Sequence, residues 1–453
     1  MRAPCLRQAQ AWEWRPYTRR ARSTAPYLGA TMESQTVRMA LVGYGMFGSD
    51  VVAGTLWDLQ RNGISPYLDR IGLDDRARDY IDLGFELVAV GARSETTAQR
   101  AQADNERETG RRPAAYHGDA PWEAILGDHP GLDLLIVATP DHLHTQPILA
   151  ALRSGTHVVA EKPLCLSVEE ADQIIALAAA NNLIVGVDMH KRYDPDHLRI
   201  FRDLAPDLGE PIYARGVLEE PLEVSTRTFK WVEESDPFTY VGIHWVDLFM
   251  HYLKLEPLAV YAVGQKKRLR QEFGKDAFDA VQAVVTHRSG LTIIYENNWL
   301  TPPDFEGPVN QESQLVAARG KVESNSQYRG LRYWIESKGS RTANTHFFRK
   351  VRRPDGSLVS VGYGKDSLID CIEKVVRVKL GTPAADLAGT YPDAASQRLP
   401  VAVVHAVRAV IQRNQQHFDA GRSPVVTASF GGEGIVLHDP YAEGPETVYG
   451  RRV

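Results

Sequence analysis

A glycine-rich turn between an apolar run and a helical pattern constrains the fold of this chain more than any other feature. Residues 37–42 (VRMALV) form a short, mainly apolar run that predicts a strand buried on both faces of a parallel sheet. They lead directly into residues 43–48 (GYGMFG), after which apolar residues recur at helical spacing over 51–59. A strand, a G-x-G-x-x-G turn and a helix in this order are typical of a βαβ unit that binds a dinucleotide.

Each glycine of this turn has a separate expected role. Gly43 permits the tight turn, Gly45 lets the cofactor's pyrophosphate approach the backbone, and Gly48 allows close packing of helix on strand. The N-terminus of the helix would face the phosphates. The alternative is a glycine turn that serves packing alone. We expect the cofactor to contact Gly43, Gly45, Met46, Phe47 and Gly48.

The residues after the second strand bear on the choice between NAD and NADP. In dinucleotide-binding folds an acidic side chain at this place binds the ribose 2′-hydroxyl, whereas an arginine accommodates a 2′-phosphate. The predicted strand 85–90 is followed by Gly91, Ala92, Arg93 and Ser94, with no acid. The sequence therefore favours NADP over NAD, with Arg93 and Ser94 as cofactor contacts. The alternative, Arg93 stacking on the adenine ring, suits either cofactor.

Strand and helix patterns alternate up to about residue 190. Further strands are predicted over 132–138, 157–160 and 183–187, and helices over 144–154 and 168–181. Ser167 and Glu170 form a capping-box pattern at the start of the second of these helices. Residues 61–84 are predicted to be an insertion with one short helix.

The pattern changes after about residue 205 to long runs of alternating polarity. The runs at 212–219, 259–265, 280–287, 291–299, 313–318 and 331–336 predict an antiparallel meander, and helices are predicted over 366–380 and 397–419. The predicted domains are an N-terminal extension at 1–36, a cofactor-binding domain at 37–163, a substrate and oligomerisation domain at 164–427, and a C-terminal tail at 428–453.

The charge balance and the cysteines narrow the classes of partner. Lys and Arg number 52 against 57 Asp and Glu, so a formal net charge of −5 gives no electrostatic basis for binding nucleic acid or an anionic membrane. No run of about 18 apolar residues predicts a membrane-spanning helix. Cys5, Cys165 and Cys371 are scattered without a C-x-x-C, so we expect no disulfide framework, no bound metal and a reducing, cytoplasmic location.

The first 31 residues differ in composition from the rest of the chain. They contain six arginines and one acidic residue, Glu13, and lack apolar periodicity. The sequence favours an over-extended start, because Met32 offers a second plausible one. The alternative is an organelle transit peptide, which is typically Arg-rich and acid-poor. We expect residues 1–31 to be dispensable for folding.

Glu161, Lys162 and Pro163 follow the predicted strand 157–160 at its carboxyl end, the edge at which ligands bind in open α/β sheets. Together with the glycine turn, the segments 137–144 (VATPDHLH), 150–155 (AALRSG), 158–163 (VVAEKP) and 187–195 (VDMHKRYDP) resemble the Gfo/Idh/MocA oxidoreductases in order and spacing. This resemblance covers about residues 37–200. Beyond it, 242–247 (GIHWVD) is similar to the family's catalytic helix and 320–330 (GKVESNSQYRG) to a late strand.

The resemblance implies an α/β fold with an N-terminal Rossmann dinucleotide-binding domain and a C-terminal α/β domain that has a large, mostly antiparallel sheet. The exposed face of that sheet often mediates oligomers in the family, so a homodimer or homotetramer is expected. The resemblance also implies an NAD(P)-dependent oxidoreductase. Its expected reaction transfers hydride between the cofactor and a secondary hydroxyl or ketone of a sugar, cyclitol or related polyol.

The resemblance assigns catalytic roles to two residues. Lys162 would contact the reacting oxygen, where a fixed ammonium stabilises developing negative charge, and Glu161 would hold the cofactor ribose or orient the lysine. His244 would be the general base, because the pKa of an imidazole lies near neutrality. Its Gly-x-His-x-x-Asp setting places Asp247 one turn further on, as the nearest carboxylate in the sequence.

Tyr240 stands where the family often has an aspartate, four residues before the histidine. We expect it to hydrogen-bond substrate or imidazole as a neutral phenol, the alternative being that it only packs. Arg192 is similar to a family position near cofactor and substrate, with a structural ion pair as the alternative. The remaining expected contacts are Thr139, Pro140 and His142 to the cofactor, and Lys162, Arg192, Tyr240, His244 and Asp247 to the substrate.

Two other functions remain open on this scaffold. One is a hydrolase or lyase in which retained nicotinamide transiently oxidises a sugar carbon, so that a glycosidic bond can eliminate. The other is a cofactor-sensing regulator without catalysis, which the presence of both Lys162 and His244 disfavours.

Overall fold

The computed structural model describes residues 36–453 apart from 306, 308, 327–330, 336–338, 344–345, 353, 355 and 357. The predicted extension at 1–36 therefore lies outside the described residues, except for Thr36. The same holds for 327–330 of the segment that resembles a late strand. Among the described helices, none is both long and apolar enough to cross a lipid bilayer.

Six parallel strands form the first sheet, in the order β3-β2-β1-β4-β5-β6. The central strand is the apolar run before the glycine turn, in which Met39 and Leu41 are fully buried. Burial of side chains of this size stabilises the fold by roughly 1.5–3 kcal/mol each relative to exposure. The strands are β1 (Thr36–Val42), β2 (Gly84–Ala92), β3 (Ala114–His117), β4 (Leu134–Val137), β5 (His157–Ala160) and β6 (Val185–Val187).

Helices cover both faces of this sheet, as the alternating pattern predicts. They are α1 (Ala53–Asn62), α2 (Glu95–Thr109), α3 (Pro121–Asp128), α4 (Thr145–Arg153) and α5 (Val168–Ala180). The predicted capping box is confirmed, because Ser167 Oγ accepts from the Glu170 N–H while the Glu170 side chain accepts from the Ser167 N–H. The predicted insertion contains three short 3-10 turns rather than one helix, at Ser65–Tyr67, Asp69–Ile71 and Asp74–Tyr80.

The second sheet has nine strands in the order β12-β11-β7-β10-β9-β8-β17-β18-β19. Every neighbouring pair is antiparallel except β10 and β7, which are parallel. This confirms the expected large, mostly antiparallel sheet. Its strands are β7 (Pro211–Pro221), β8 (Pro257–Gln265), β9 (Ala280–His287), β10 (Thr292–Thr301), β11 (Asn310–Ala317), β12 (Gly320–Asn325), β17 (Thr427–Gly431), β18 (Gly434–His438) and β19 (Glu446–Tyr449).

The remaining elements connect or cover the two sheets. Two hairpins pair β13 (Leu331–Ile335) with β14 (Gly339–Ala343) and β15 (Arg349–Arg352) with β16 (Leu358–Val361). The helices are α6 (Pro195–Leu198), α7 (Ala205–Leu208), α8 (Ile243–Leu253), α9 (Arg268–Phe273), α10 (Tyr363–Lys379) and α11 (Ala394–Asp419).

Two predicted domain boundaries need correction. The boundary at residue 163 is too early, because β6 pairs with β5 and completes the parallel sheet. Helix α10 also returns to this sheet, where Cys371 lies in the same apolar core as Met39 and Leu41. The supposed tail at 428–453 is part of the second sheet, because β17 pairs with β8 and β18 with both β17 and β19.

Candidate active site

The backbone of the glycine turn is closely packed at Gly43 and Gly48 but open at Gly45. Gly43 has a φ of +97°, and a Cβ there would lie 2.2 Å from the carbonyl oxygen of Ala138. A Cβ on Gly48 would lie 2.6 Å from the carbonyl oxygen of Gly43, whereas a Cβ on Gly45 would meet nothing within 4 Å. Of these three glycines, only Gly45 therefore leaves space for a ligand to approach the backbone, and the cofactor's pyrophosphate is expected there. Met46 beside it is half exposed.

The residues proposed to select the cofactor lie at the end of β2. Arg93 is exposed, and Ser94 begins helix α2 by accepting a hydrogen bond at Oγ from the N–H of Thr97 (3.3 Å). The hydroxyl of Ser94 is thus already engaged with its own helix. The side chain of Arg93 is exposed, and its predicted contact with a 2′-phosphate remains a prediction.

The loop after β4 carries three of the predicted cofactor contacts. Thr139 Oγ1 and His142 Nδ1 are buried without a hydrogen-bond partner among the described residues, and Pro140 is partly buried beside them. The imidazole of His144, two residues beyond His142, lies 2.9 Å from the carbonyl oxygen of Thr139 and 2.6 Å from that of Pro163. It thereby ties this loop to the loop that carries Lys162.

Lys162 is buried at the carboxyl end of β5. Its Nζ donates to the backbone carbonyl oxygen of Tyr240 at 2.6 Å and lies 3.7 Å from the centre of the Tyr240 ring. Burial lowers the pKa of Lys162, and the neighbouring carboxyls of Glu161 and Glu220 oppose that shift. The site thus holds an ammonium away from bulk water, where its electrostatic effect on a reacting oxygen is strong.

A pair of carboxyls lies beside this lysine. Glu161 Oε1 and both carboxyl oxygens of Asp188 are buried without hydrogen-bond partners among the described residues. Burial and the nearby Asp188 raise the pKa of Glu161 well above its ordinary value. Buried polar atoms are normally satisfied, so oxygens left open at a cleft fit a ligand that brings hydroxyl donors, such as a cofactor ribose.

His244 stands at the start of α8, directly after a π-helical turn at Phe238–Gly242. Its Nδ1 is buried without a hydrogen-bond partner among the described residues, and its ring centre lies 4.4 Å from that of His190. Burial, followed by His190 and Lys162, holds the pKa of His244 well below its ordinary value. The imidazole is therefore neutral at physiological pH, the state that a general base requires.

His190 connects this histidine with the glycine turn. Its ring stacks with Phe47, at 5.8 Å between ring centres and 18° between planes, and also contacts Phe347. Phe47 therefore connects the glycine turn with His190, and its predicted contact with the cofactor remains a prediction.

Comparison with known proteins identifies the family of this chain. A family model described as an oxidoreductase family with an NAD-binding Rossmann fold matches residues 37–189. The model of the GFO/IDH/MocA C-terminal domain matches residues 205–323. The chain belongs to the Gfo/Idh/MocA oxidoreductase family.

Individual curated relatives match a smaller part of the chain than the two family models do. The chain is 37% identical over 184 residues to 1,5-anhydro-D-fructose reductase of Ensifer adhaerens, covering 40% of this chain and 54% of that protein. It is 28% identical over 165 residues to scyllo-inositol 2-dehydrogenase (NAD(+)) of Bacillus subtilis, covering 36% and 46%. The chain thus matches about half the length of these curated relatives.

The solved structure of myo-inositol 2-dehydrogenase from Lactobacillus plantarum is similar over nearly the whole chain. The TM-score is 0.63, and the match covers 88% of this chain and 100% of that one. At 18% identity, this similarity establishes the shared fold alone.

This member of the Gfo/Idh/MocA family departs from the predicted site at Asp247. The carboxylate accepts from Arg192 Nε at 2.7 Å, from the Arg192 terminal nitrogen, and from Gln397 Nε2 at 2.8 Å. Both oxygens are thus engaged in a buried ion pair, so Asp247 does not act as the charge partner of His244. For Arg192, the alternative of a structural ion pair fits this geometry, and the substrate contacts expected of Arg192 and Asp247 remain predictions.

Tyr240 departs from the family pattern in another way. Its backbone carbonyl and ring face hold Lys162, and its ring packs edge-on against Phe229 at 4.7 Å and against Trp231 at 5.9 Å. Tyr240 is therefore a positioning residue for Lys162, as part of an aromatic wall that continues to Trp299.

Sequence reasoning missed several residues of this cleft. Asp188 and His190 lie within the segment 187–195 but carry no signal of their own there. Glu220 stands one residue beyond a predicted strand, and its inward direction follows from the alternation along β7. Only the folded chain brings them together with Lys162.

Proposed function

We propose that the protein is an NAD(P)-dependent oxidoreductase that acts on a secondary hydroxyl or ketone of a sugar, cyclitol or related polyol. The observation that carries this proposal is the juxtaposition of a buried ammonium, Lys162, with a neutral imidazole, His244. Lys162 lies close enough to His244 to contribute to the low pKa of that imidazole.

The glycine turn would hold the cofactor's pyrophosphate at Gly45, and Thr139 and Glu161 would meet its ribose and nicotinamide end with their open polar atoms. His142, whose Nδ1 lies 3.7 Å from Asp141 Oδ1, would contact the cofactor beside them. When bound, the nicotinamide supplies or accepts the hydride. The residues of this chain would transfer the hydroxyl proton and stabilise the charge that develops on the substrate oxygen.

In the oxidation direction, Lys162 would donate a hydrogen bond to the substrate oxygen and stabilise its developing negative charge. A ring nitrogen of His244 would take the hydroxyl proton. In reduction, the same imidazole would return the proton to that oxygen. The aromatic wall of Phe229, Trp231 and Tyr240 excludes water from one side of the substrate.

The proposal is tested by the cofactor-coupled absorbance change across a panel of cyclitols, aldoses, keto-sugars and nucleotide sugars. Turnover of at least one member with net change of cofactor is expected. Tightly retained cofactor with no net redox change, together with glycoside cleavage, would favour the hydrolase or lyase instead. Retained cofactor with no turnover of any kind would favour a sensor.

We expect a preference for NADP(H). Isothermal titration should give a dissociation constant about tenfold lower for NADP than for NAD, equivalent to about 1.4 kcal/mol, because Arg93 is free to contact a 2′-phosphate. Arg93→Ala should abolish the difference, whereas Arg112→Ala, which removes an exposed surface arginine, should not. Tighter binding of NAD by the same factor would mean that Arg93 does not read a phosphate.

We also propose that the open face of the second sheet mediates a homodimer or homotetramer. Tyr261, Val284, Ile294 and Arg215 form one row across four strands, and the Tyr261 and Ile294 side chains are 41% and 42% exposed. Ile294→Glu should therefore produce monomers in light scattering, because a charge would be buried in the interface. Ile81→Glu, at an exposed position far from this face, is the control. A wild-type monomer would contradict the proposal.

A further inference from the structure

His190 is a buried histidine of the cleft to which the proposed reaction gives no role. It begins the short 3-10 turn His190–Tyr193, close behind the last strand of the parallel sheet, and the residue is 6% exposed. Its ring centre lies 4.4 Å from that of His244, with 51° between the two ring planes. The two imidazoles are therefore in contact, and the charge state of one acts directly on the other.

Three aromatic side chains enclose the His190 ring on other sides. Phe47 of the glycine turn lies at 5.8 Å between ring centres, Phe347 at 5.1 Å and Tyr363 at 5.8 Å. These three come from separate parts of the chain, namely the glycine turn, the segment before β15 and the start of α10. Close packing on several sides restricts the ring to one orientation, so His190 presents a fixed surface to His244.

A carboxylate, that of Asp188, faces the Nδ1 atom of His190. The distance from this Nδ1 to Asp188 Oδ2 is 3.8 Å, and Asp188 is fully buried. The backbone holds Asp188 in place, because its N–H donates to the carbonyl oxygen of Ala160 at 2.9 Å. Burial lowers the pKa of His190 while Asp188 opposes that shift, so the imidazole is neutral at physiological pH. The carboxylate favours the neutral tautomer that has its N–H on Nδ1.

His244 has no available carboxylate on its own helix. Tyr240 stands one turn before it, where the family often has an aspartate, and the carboxylate of Asp247 is paired with Arg192. A base that takes up a hydroxyl proton becomes a cation, so a negative group nearby favours the transfer. Besides burial, the groups that oppose protonation of this base are the side chains of His190, Lys162, Lys191 and His197.

Two other buried carboxyls of the cleft are poor sources of that negative charge. Burial and the nearby Asp188 raise the pKa of Glu161 well above its ordinary value. Burial also raises the pKa of Glu220, to about 7. Both carboxyls therefore carry less than a full negative charge near neutral pH. Asp188, in contrast, is connected to His244 by the enclosed ring of His190.

We propose that Asp188 and His190 are positioning residues for His244, and that Asp188 acts on this base through the His190 ring. In oxidation the O–H bond of the substrate breaks, its proton goes to His244, and Asp188 offsets the positive charge that forms there. No proton moves to His190. In reduction the proton returns to the substrate oxygen. The inference rests on the proposed function and deepens it, because it assigns the carboxylate that the tyrosine at position 240 does not provide.

The test measures the pH dependence of kcat for alcohol oxidation, with the best substrate of the panel. Asp188→Asn keeps the size of the side chain but removes its charge. It should lower kcat about tenfold and move the acid limb to lower pH by about one unit, because a base without its counter-charge has a lower pKa. His190→Phe keeps a ring within the aromatic enclosure and should give the same changes. The double variant should be no worse than the poorer single one, as for residues that act as a unit.

Asp439→Asn is the matched control. It removes the charge from another buried Asp–His pair, in which His417 Nε2 lies 2.8 Å from Asp439 Oδ2, and it should leave kcat and the acid limb unchanged. A wild-type acid limb in Asp188→Asn, in protein that melts as the wild type does, would overturn the proposal. Losses that add in the double variant would also overturn it. If Asp188→Asn does not fold, His190→Phe decides by the same criterion.

NMR titration of ¹³C-labelled histidines in the protein without substrate separates this inference from the proposed function. The His244 signal, identified by its loss in His244→Ala, should titrate at lower pH in Asp188→Asn than in the wild type. That shift in a protein that turns over no member of the panel would retain the positioning pair and contradict the oxidoreductase proposal. Turnover with an unshifted His244 titration would instead retain the oxidoreductase and overturn the pair.

Discussion

Replacement of Lys162 by alanine is expected to lower kcat by about 10²–10⁴, the range for a positioned electrostatic or proton-transfer group. The reason is that the Lys162 ammonium is a buried cation held by the Tyr240 carbonyl and ring, beside the neutral imidazole that would take the proton. Without it, negative charge on the substrate oxygen would develop in a cleft that also contains Glu161, Asp188 and Glu220. Steady-state kinetics give kcat, and calorimetry gives the affinity for the cofactor, which should change little.

Two further variants separate the effect of the Lys162 charge from the effect of removing a lysine in general. Lys162→Met keeps the length of the side chain but removes its charge, so it should be as impaired as the alanine variant if the ammonium matters. Lys321→Met, which removes an exposed lysine from β12, should behave as the wild type. Wild-type kcat in Lys162→Met, with cofactor bound normally, would remove this ammonium from the mechanism.

The parallel sheet and its glycine turn were predictable because their signals are local. An apolar strand, a turn that tolerates no side chain at Gly43 or Gly48, and a capping box at Ser167 each lie within a few residues of sequence. The domain boundaries were not predictable in this way. Cys371 in α10 packs against the first sheet 184 residues after Val187, the end of its last strand. No periodicity within α10 reveals which sheet the helix covers.

The same distinction applies to the site. Lys162 and His244 stand in motifs, and the sequence predicts both. Asp247 follows His244 by one helical turn, but its carboxylate is taken by Arg192, which is distant in sequence. Glu220 lies one residue beyond a predicted strand, and its position near the Lys162 ammonium depends on the tertiary structure alone.

His244→Ala is expected to lower kcat by about 10²–10⁴ and to remove the acid limb of the pH–rate profile for alcohol oxidation, as the loss of a general base does. A base must be unprotonated, so the rate falls as pH drops through its pKa. Burial and the positive charges of Lys162, Lys191 and any protonated His190 or His197 hold the pKa of His244 well below its ordinary value. The limb should therefore lie below the usual imidazole range, and not near neutral pH as the sequence alone indicates.

Two other variants identify the remaining groups in that profile. Burial raises the pKa of Glu220 to about 7, with the Lys162 ammonium and the Trp299 indole opposing the shift, so a separate transition in KM near neutrality should vanish in Glu220→Gln. Tyr240→Phe keeps the ring and the backbone carbonyl that hold Lys162, and should leave kcat and the acid limb nearly unchanged. If Tyr240→Phe instead erases the acid limb while His244→Ala keeps it, the phenol of Tyr240 carries the proton beside Lys162 and the imidazole only shapes the cleft.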